Sequence, residues 1–140
     1  MTMKKQLLIA LLPLLLAACD FDQAERLQTV HDMEAAATRY SQLRALIDNT
    51  DRALERLGTE AKILREDIKA QGAEYEKSRG AHYRDQVLVL TDKEADLAQR
   101  IAALEGKRSE ATLQVSQHRD RIHNLQARLE SMGCGRPPCI

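Results

Sequence analysis

Aromatic residues are scarce in this chain. They make up 3% of its 140 residues, with no Trp and a single Phe, Phe21, which excludes a large aromatic-rich core. Proline is almost as rare, occurring at Pro13, Pro137 and Pro138. No residue between Pro13 and Pro137 lacks the backbone donor that a helix needs, so a long helical body is allowed. An excess of one charge is also missing: 21 Lys and Arg balance 21 Asp and Glu, for a formal net charge of +0. A phosphate-binding surface needs a basic surplus, so nucleic acid is not an expected partner.

What is present begins with an address. Lys4 and Lys5 precede an uncharged apolar run over residues 7–16, interrupted by Pro13. The run falls short of the roughly 20 residues that cross a bilayer as a helix, so residues 1–18 read as a removable signal peptide. The run ends in Leu16-Ala17-Ala18-Cys19. This order of charged start, apolar run, small residues and cysteine resembles the bacterial lipobox, and the resemblance covers about the first 20 residues. It implies cleavage before Cys19, lipid on the Cys19 sulfur and an acyl chain on its new amino group. Each buried acyl methylene contributes about 0.8 kcal/mol, so several chains hold a protein on a membrane durably. Asp20 is similar to the residue that retains enterobacterial lipoproteins at the inner membrane, which favours that membrane over the outer one. Residues 1–18 contain two lysines and no acid, so the mature chain has 19 bases against 21 acids, a formal charge of −2. The anchor is then expected to be the covalent lipid at Cys19 and not a basic patch. No other cofactor is expected.

Residues 19–23 read as a lipid-anchored linker and residues 24–132 as a coiled-coil body. Met33, Tyr40, Ile47, Leu54, Ala61, Ile68 and Tyr75 fall at one heptad position, a, with Ala36, Leu43, Thr50, Leu57, Leu64 and Gln71 at d. A second tract sets Val87, Glu94, Ile101, Arg108, Val115, Ile122 and Leu129 at a, with Leu90, Leu97, Leu104, Ala111, His118, Leu125 and Met132 at d. Alternating steps of three and four make a coiled-coil seam, flawed in the second tract by Glu94, Arg108 and His118. Asp48 with Arg52 and Asp96 with Arg100 add helix-supporting i,i+4 pairs. The two registers are offset by five residues, which neither a stutter nor a stammer explains. Gly72 and Gly80 bracket the offset, so a break is expected near residues 71–83. Arms over 24–70 and 83–131 have nearly equal lengths and favour an all-α antiparallel hairpin. The alternative is one extended helix in a parallel oligomer. Gly80 and Tyr83, at the expected tip, are the candidate partner contacts, while Tyr40 and Tyr75 read as core filling.

Residues 133–140 form a Gly/Pro/Cys tail. Gly133 stands where a left-handed helix cap is expected, and Pro137 and Pro138 stop the helix from resuming. Cys134 and Cys139 are the thiols left after lipidation, in a compartment that permits oxidation. A short intramolecular disulfide is favoured over a bridge between protomers and over a redox or metal site. A redox pair more often has C-x-x-C spacing, and zinc would need further ligands near His123. His31, His82, His118 and His123 are scattered, and no H-E-x-x-H, G-x-S-x-G or phosphate-cradling glycine loop occurs. No catalytic or metal residues are therefore assigned, and a non-enzyme is expected.

The expected function is that of a structural or adaptor lipoprotein on the periplasmic face of the bacterial cell envelope, serving a secretion, efflux or conjugation assembly. Its partners would be the membrane, another envelope protein or a further copy of itself. The helical hairpin loosely resembles those of efflux adaptors, without their strand-rich domains. The major outer-membrane lipoprotein is also a lipidated coiled coil, but that family ends in a wall-linked lysine where this chain has Ile140. The alternative is a mobile-element lipoprotein, either an exclusion factor against incoming DNA or phage or a spanin-like lysis protein.

Overall fold

A computed structural model describes the backbone of residues 3–134 and the side chains of residues 23–132. The fold is an all-α helical hairpin: α1 spans Met3–Ser78, α2 spans Ala81–Leu129, and a π-helical turn follows over Glu130–Cys134. No strand occurs among the described residues. The chain reverses at Arg79 and Gly80, which excludes the single extended helix.

The break is much shorter than the 71–83 stretch expected from the glycines. Gly72 lies inside α1, with open space where a Cβ would stand. A glycine costs a helix about 1 kcal/mol relative to alanine, which packing on either side outweighs: Ile68, Gln71 and Tyr75 all stay half-buried in the seam. The helix ends where the backbone geometry changes. Arg79 has φ 52°, the left-handed position that glycine commonly fills after a helix. Its N–H donates to Tyr75 O at 2.7 Å. The Ser78 hydroxyl donates to Glu74 O at 2.9 Å and accepts the Gly80 N–H at 3.3 Å. The Gly80 carbonyl then accepts from Tyr83 N and Arg84 N at 3.1 and 3.4 Å, starting α2. At the other end of α2, Gly133 lies within the wider π-helical turn and not at a left-handed cap.

The chain divides into two compact units. The first combines Met1–Ser41 with Ser116–Ile140. Thr29 and Ala36 are its buried seam residues, each 3% exposed, and the Thr29 hydroxyl donates to Glu25 O at 2.8 Å. Arg128 pairs with Glu25, joining α1 to α2, and the Arg26 guanidinium donates to Met132 O in the π-helical turn. His118 is half-buried at its seam position, with Nδ1 buried and unpartnered.

The second unit, Gln42–Val115, contains the reversal. Its core is Leu57, Ala61 and Leu97, with Leu64, Ile101 and Leu104 packed against them. Every a and d residue assigned within this unit is buried or half-buried except Arg108. Two charged a residues of α2 that flaw the seam are accounted for across the helix pair. Glu94 accepts from Arg65 at 2.7 Å, and Arg108 pairs with Asp51. Arg65 and Asp51 both occupy e positions of α1. The two bridges stand two heptads apart and have opposite polarity, so sliding either helix by one heptad would break both, and sliding it by two would set like charge against like. Exposed pairs contribute only about 0.2–1 kcal/mol each, and their use here is to select the register more than to stabilise it.

Candidate functional site

The sequence points to three places: Cys19, the pair Cys134 and Cys139, and the turn containing Gly80 and Tyr83. The Cys19 and Cys134 side chains and the whole of Cys139 lie outside the described residues, as do the side chains of the signal segment, including Asp20. The turn lies within them.

Helix α1 delivers Tyr75 at the start of its last helical turn, and α2 delivers His82 and Tyr83 in its first turn. Two of the three tyrosines of an aromatic-poor chain therefore gather around one reversal. Tyr83, named above as a contact at the tip, belongs to the seam. It lies seven residues before Leu90, at a d position, and is half-buried. Its ring comes within 3.4 Å of where a Gly80 Cβ would stand, so a side chain there would meet the ring in ordinary van der Waals contact. His82 and Tyr83 are tilted at 59° with centroids 5.7 Å apart. The Arg79 guanidinium stands 5.6 Å from the centre of the Tyr75 ring, within cation–π range. Sequence reasoning named Gly80 and Tyr83 but assigned no role to Arg79 or His82. The crowding of Tyr75, His82 and Tyr83 into nine residues was the available signal.

Charge at the turn is balanced. Glu76 pairs with Arg79 at 3.1 Å and Asp85 with Arg84 at 3.2 Å. Glu74 accepts a hydrogen bond from Lys77 at 2.9 Å, and that bond, reinforced by the carboxylate's charge, holds the exposed Lys77 above the usual lysine range. With these acids and bases paired, the surface of the turn is marked by ring faces more than by net charge. Beside it lies an open groove of about 550 Å³, lined by Gln71, His82, Asp85, Gln86 and Leu90 among others. The Gln71 Oε1 is buried and has no hydrogen-bond partner.

Among the described residues, no His, Cys, Asp and Glu group could hold a metal ion, and no helix is long and apolar enough to cross a membrane. Comparison with family models, curated proteins and solved structures gives no match.

Proposed function

We propose that this chain is a membrane-anchored lipoprotein of the bacterial envelope, acting without catalysis as a structural or adaptor coiled coil on the periplasmic face. The observation that carries the reading is Leu16-Ala17-Ala18-Cys19 at the end of a lysine-led apolar run. In this reading Cys19 carries the lipid, Cys134 and Cys139 form one short disulfide, and the turn at Gly80 and Tyr83 meets a second envelope component. The helical hairpin supports it in a limited way, by providing a stiff body whose half-buried aromatics collect at one reversal. An aspartate after the cysteine makes the inner membrane the favoured host. Secretion, efflux and conjugation machineries are the classes of assembly that such an adaptor would serve.

Intact-mass measurement combined with membrane fractionation tests the reading. The expected product is cleaved before Cys19, gains the mass of attached acyl chains and sediments with membranes, while Cys19→Ser stays unlipidated and largely loses that association. Full membrane association of the serine variant, or an unlipidated wild-type product, would remove the proposal. A photoreactive side chain in place of Tyr83 should crosslink one dominant envelope protein. Labelling no stronger than at exposed Leu113 would count against the turn as the contact.

A further inference from the structure

In the unit Gln42–Val115 both ion pairs between the helices lie on one flank, where e positions of α1 meet a positions of α2. The opposite flank is built from g and c positions of both helices and has no interhelical ion pair among the described residues of this unit. Three adjoining grooves of about 550–600 Å³ run along it. The middle groove displays Ile63 and Val89, each 55% exposed. Two large apolar side chains in a charged groove are an unfinished contact.

The charges on this flank are ordered. The residue numbers of each bridging pair, 65 with 94 and 51 with 108, total 159, so Ile63 of α1 lies level with Asp96 of α2. Towards the turn the grooves carry Asp67, Asp92 and Asp85, the last also paired with neighbouring Arg84, against one lining base, Lys93, while Asp96 lies at the level of Ile63. Away from the turn they carry Arg56, Arg100 and Lys107 against one acid, Glu60.

We propose that this flank is a self-association surface whose occupant is a second copy of the chain, lying antiparallel about a two-fold axis near Ile63. That axis brings Lys107 to the level of the partner copy's Asp85, Lys93 to that of Glu60, and Arg56 and Arg100 towards Asp67 and Asp92. All four bases meet acids, and each pairing occurs twice by symmetry. Ile63 meets its own equivalent, as does Asp96, which stands one helical turn from Arg100 on its own helix, and Val89 comes level with Ala103. A parallel pairing would stack the acidic ends together and the basic ends together, a like-charge juxtaposition that costs affinity. The surface does not depend on lipid at Cys19.

Sedimentation equilibrium of the full chain in mild non-ionic detergent, alongside its Cys19→Ser form, tests the proposal. Both should dimerise, and added salt should weaken the dimer by at least about tenfold as the charges are screened. Reversing the basic end (Arg56→Glu with Lys107→Glu) or the acidic end (Asp67→Lys with Asp85→Lys) should each weaken it by at least about tenfold. All four changes together should restore dimerisation, because exchanging the two ends leaves the flank complementary to itself. A wild-type chain that stays monomeric, a dimer indifferent to either reversal, or a fourfold variant no better than the double variants would overturn the proposal. A dimer formed only by the lipidated chain would overturn this surface while leaving the anchor standing.

Discussion

Replacing Leu97 with alanine is expected to destabilise the hairpin by about 2–3 kcal/mol in urea unfolding followed by helical circular dichroism. Leu97 is 3% exposed and sits at the centre of the one core cluster of the second unit, between Leu57 and Ala61 on α1 and near Ile101 and Leu104 on its own helix. Truncation removes the transfer free energy of the lost carbons and leaves a cavity that neighbours on two helices fill only in part. The lower half of the usual range is expected because Leu64, Ile101 and Leu104 are themselves only partly buried and can relax. Two helices form a thin core, and for a thin core such a loss is a large share of the total stability. Leu88→Ala is the matched control. Leu88 is 58% exposed, and its truncation should change stability by less than about 0.5 kcal/mol.

Ala111→Leu is expected to destabilise by about 1–3 kcal/mol, although heptad preference alone favours leucine at that d position. Ala111 is 3% exposed at its present size. Three further heavy atoms there must move the opposite helix or adopt a poor rotamer. The displacement would also disturb the nearby Arg108 pairing with Asp51. The same unfolding experiment measures it, and an unchanged or raised midpoint would show that the seam is looser at Ala111 than its burial implies.

Much of the fold was legible because the seam repeats. Leu43, Leu57, Ala61, Leu97 and Ala111 were assigned to the inside from spacing alone, and all are buried. The flaws at Glu94 and Arg108 could not be resolved one helix at a time, since each charge is answered by an e residue of the other arm. The extent of the break was misread because Gly72 carries a local helix penalty, while helix continuation depends on neighbours that bury Ile68 and Tyr75. Residues 79–80 make the reversal, and a left-handed arginine there carries no sequence signature as strong as glycine's. Its cost of about 1–2 kcal/mol is offset in part by the contacts of Arg79 with Tyr75 and Glu76. The flank of grooves was invisible for a different reason. Ile63 and Val89 are off-seam residues in separate tracts, and only the rotation of the two helices puts them on one side.

The most direct test of the account is the distance between labels at Glu55 and Glu105, introduced as unnatural amino acids so that the native cysteines remain, with labelled chains diluted in unlabelled ones. Two exposed positions at nearly the same level on packed helices, whose axes lie about 8–10 Å apart, should give a narrow distribution below about 25 Å. A single continuous helix rising 1.5 Å per residue would separate them by about 75 Å. A distribution centred near that longer value would contradict the hairpin, its register and the self-association surface built on it.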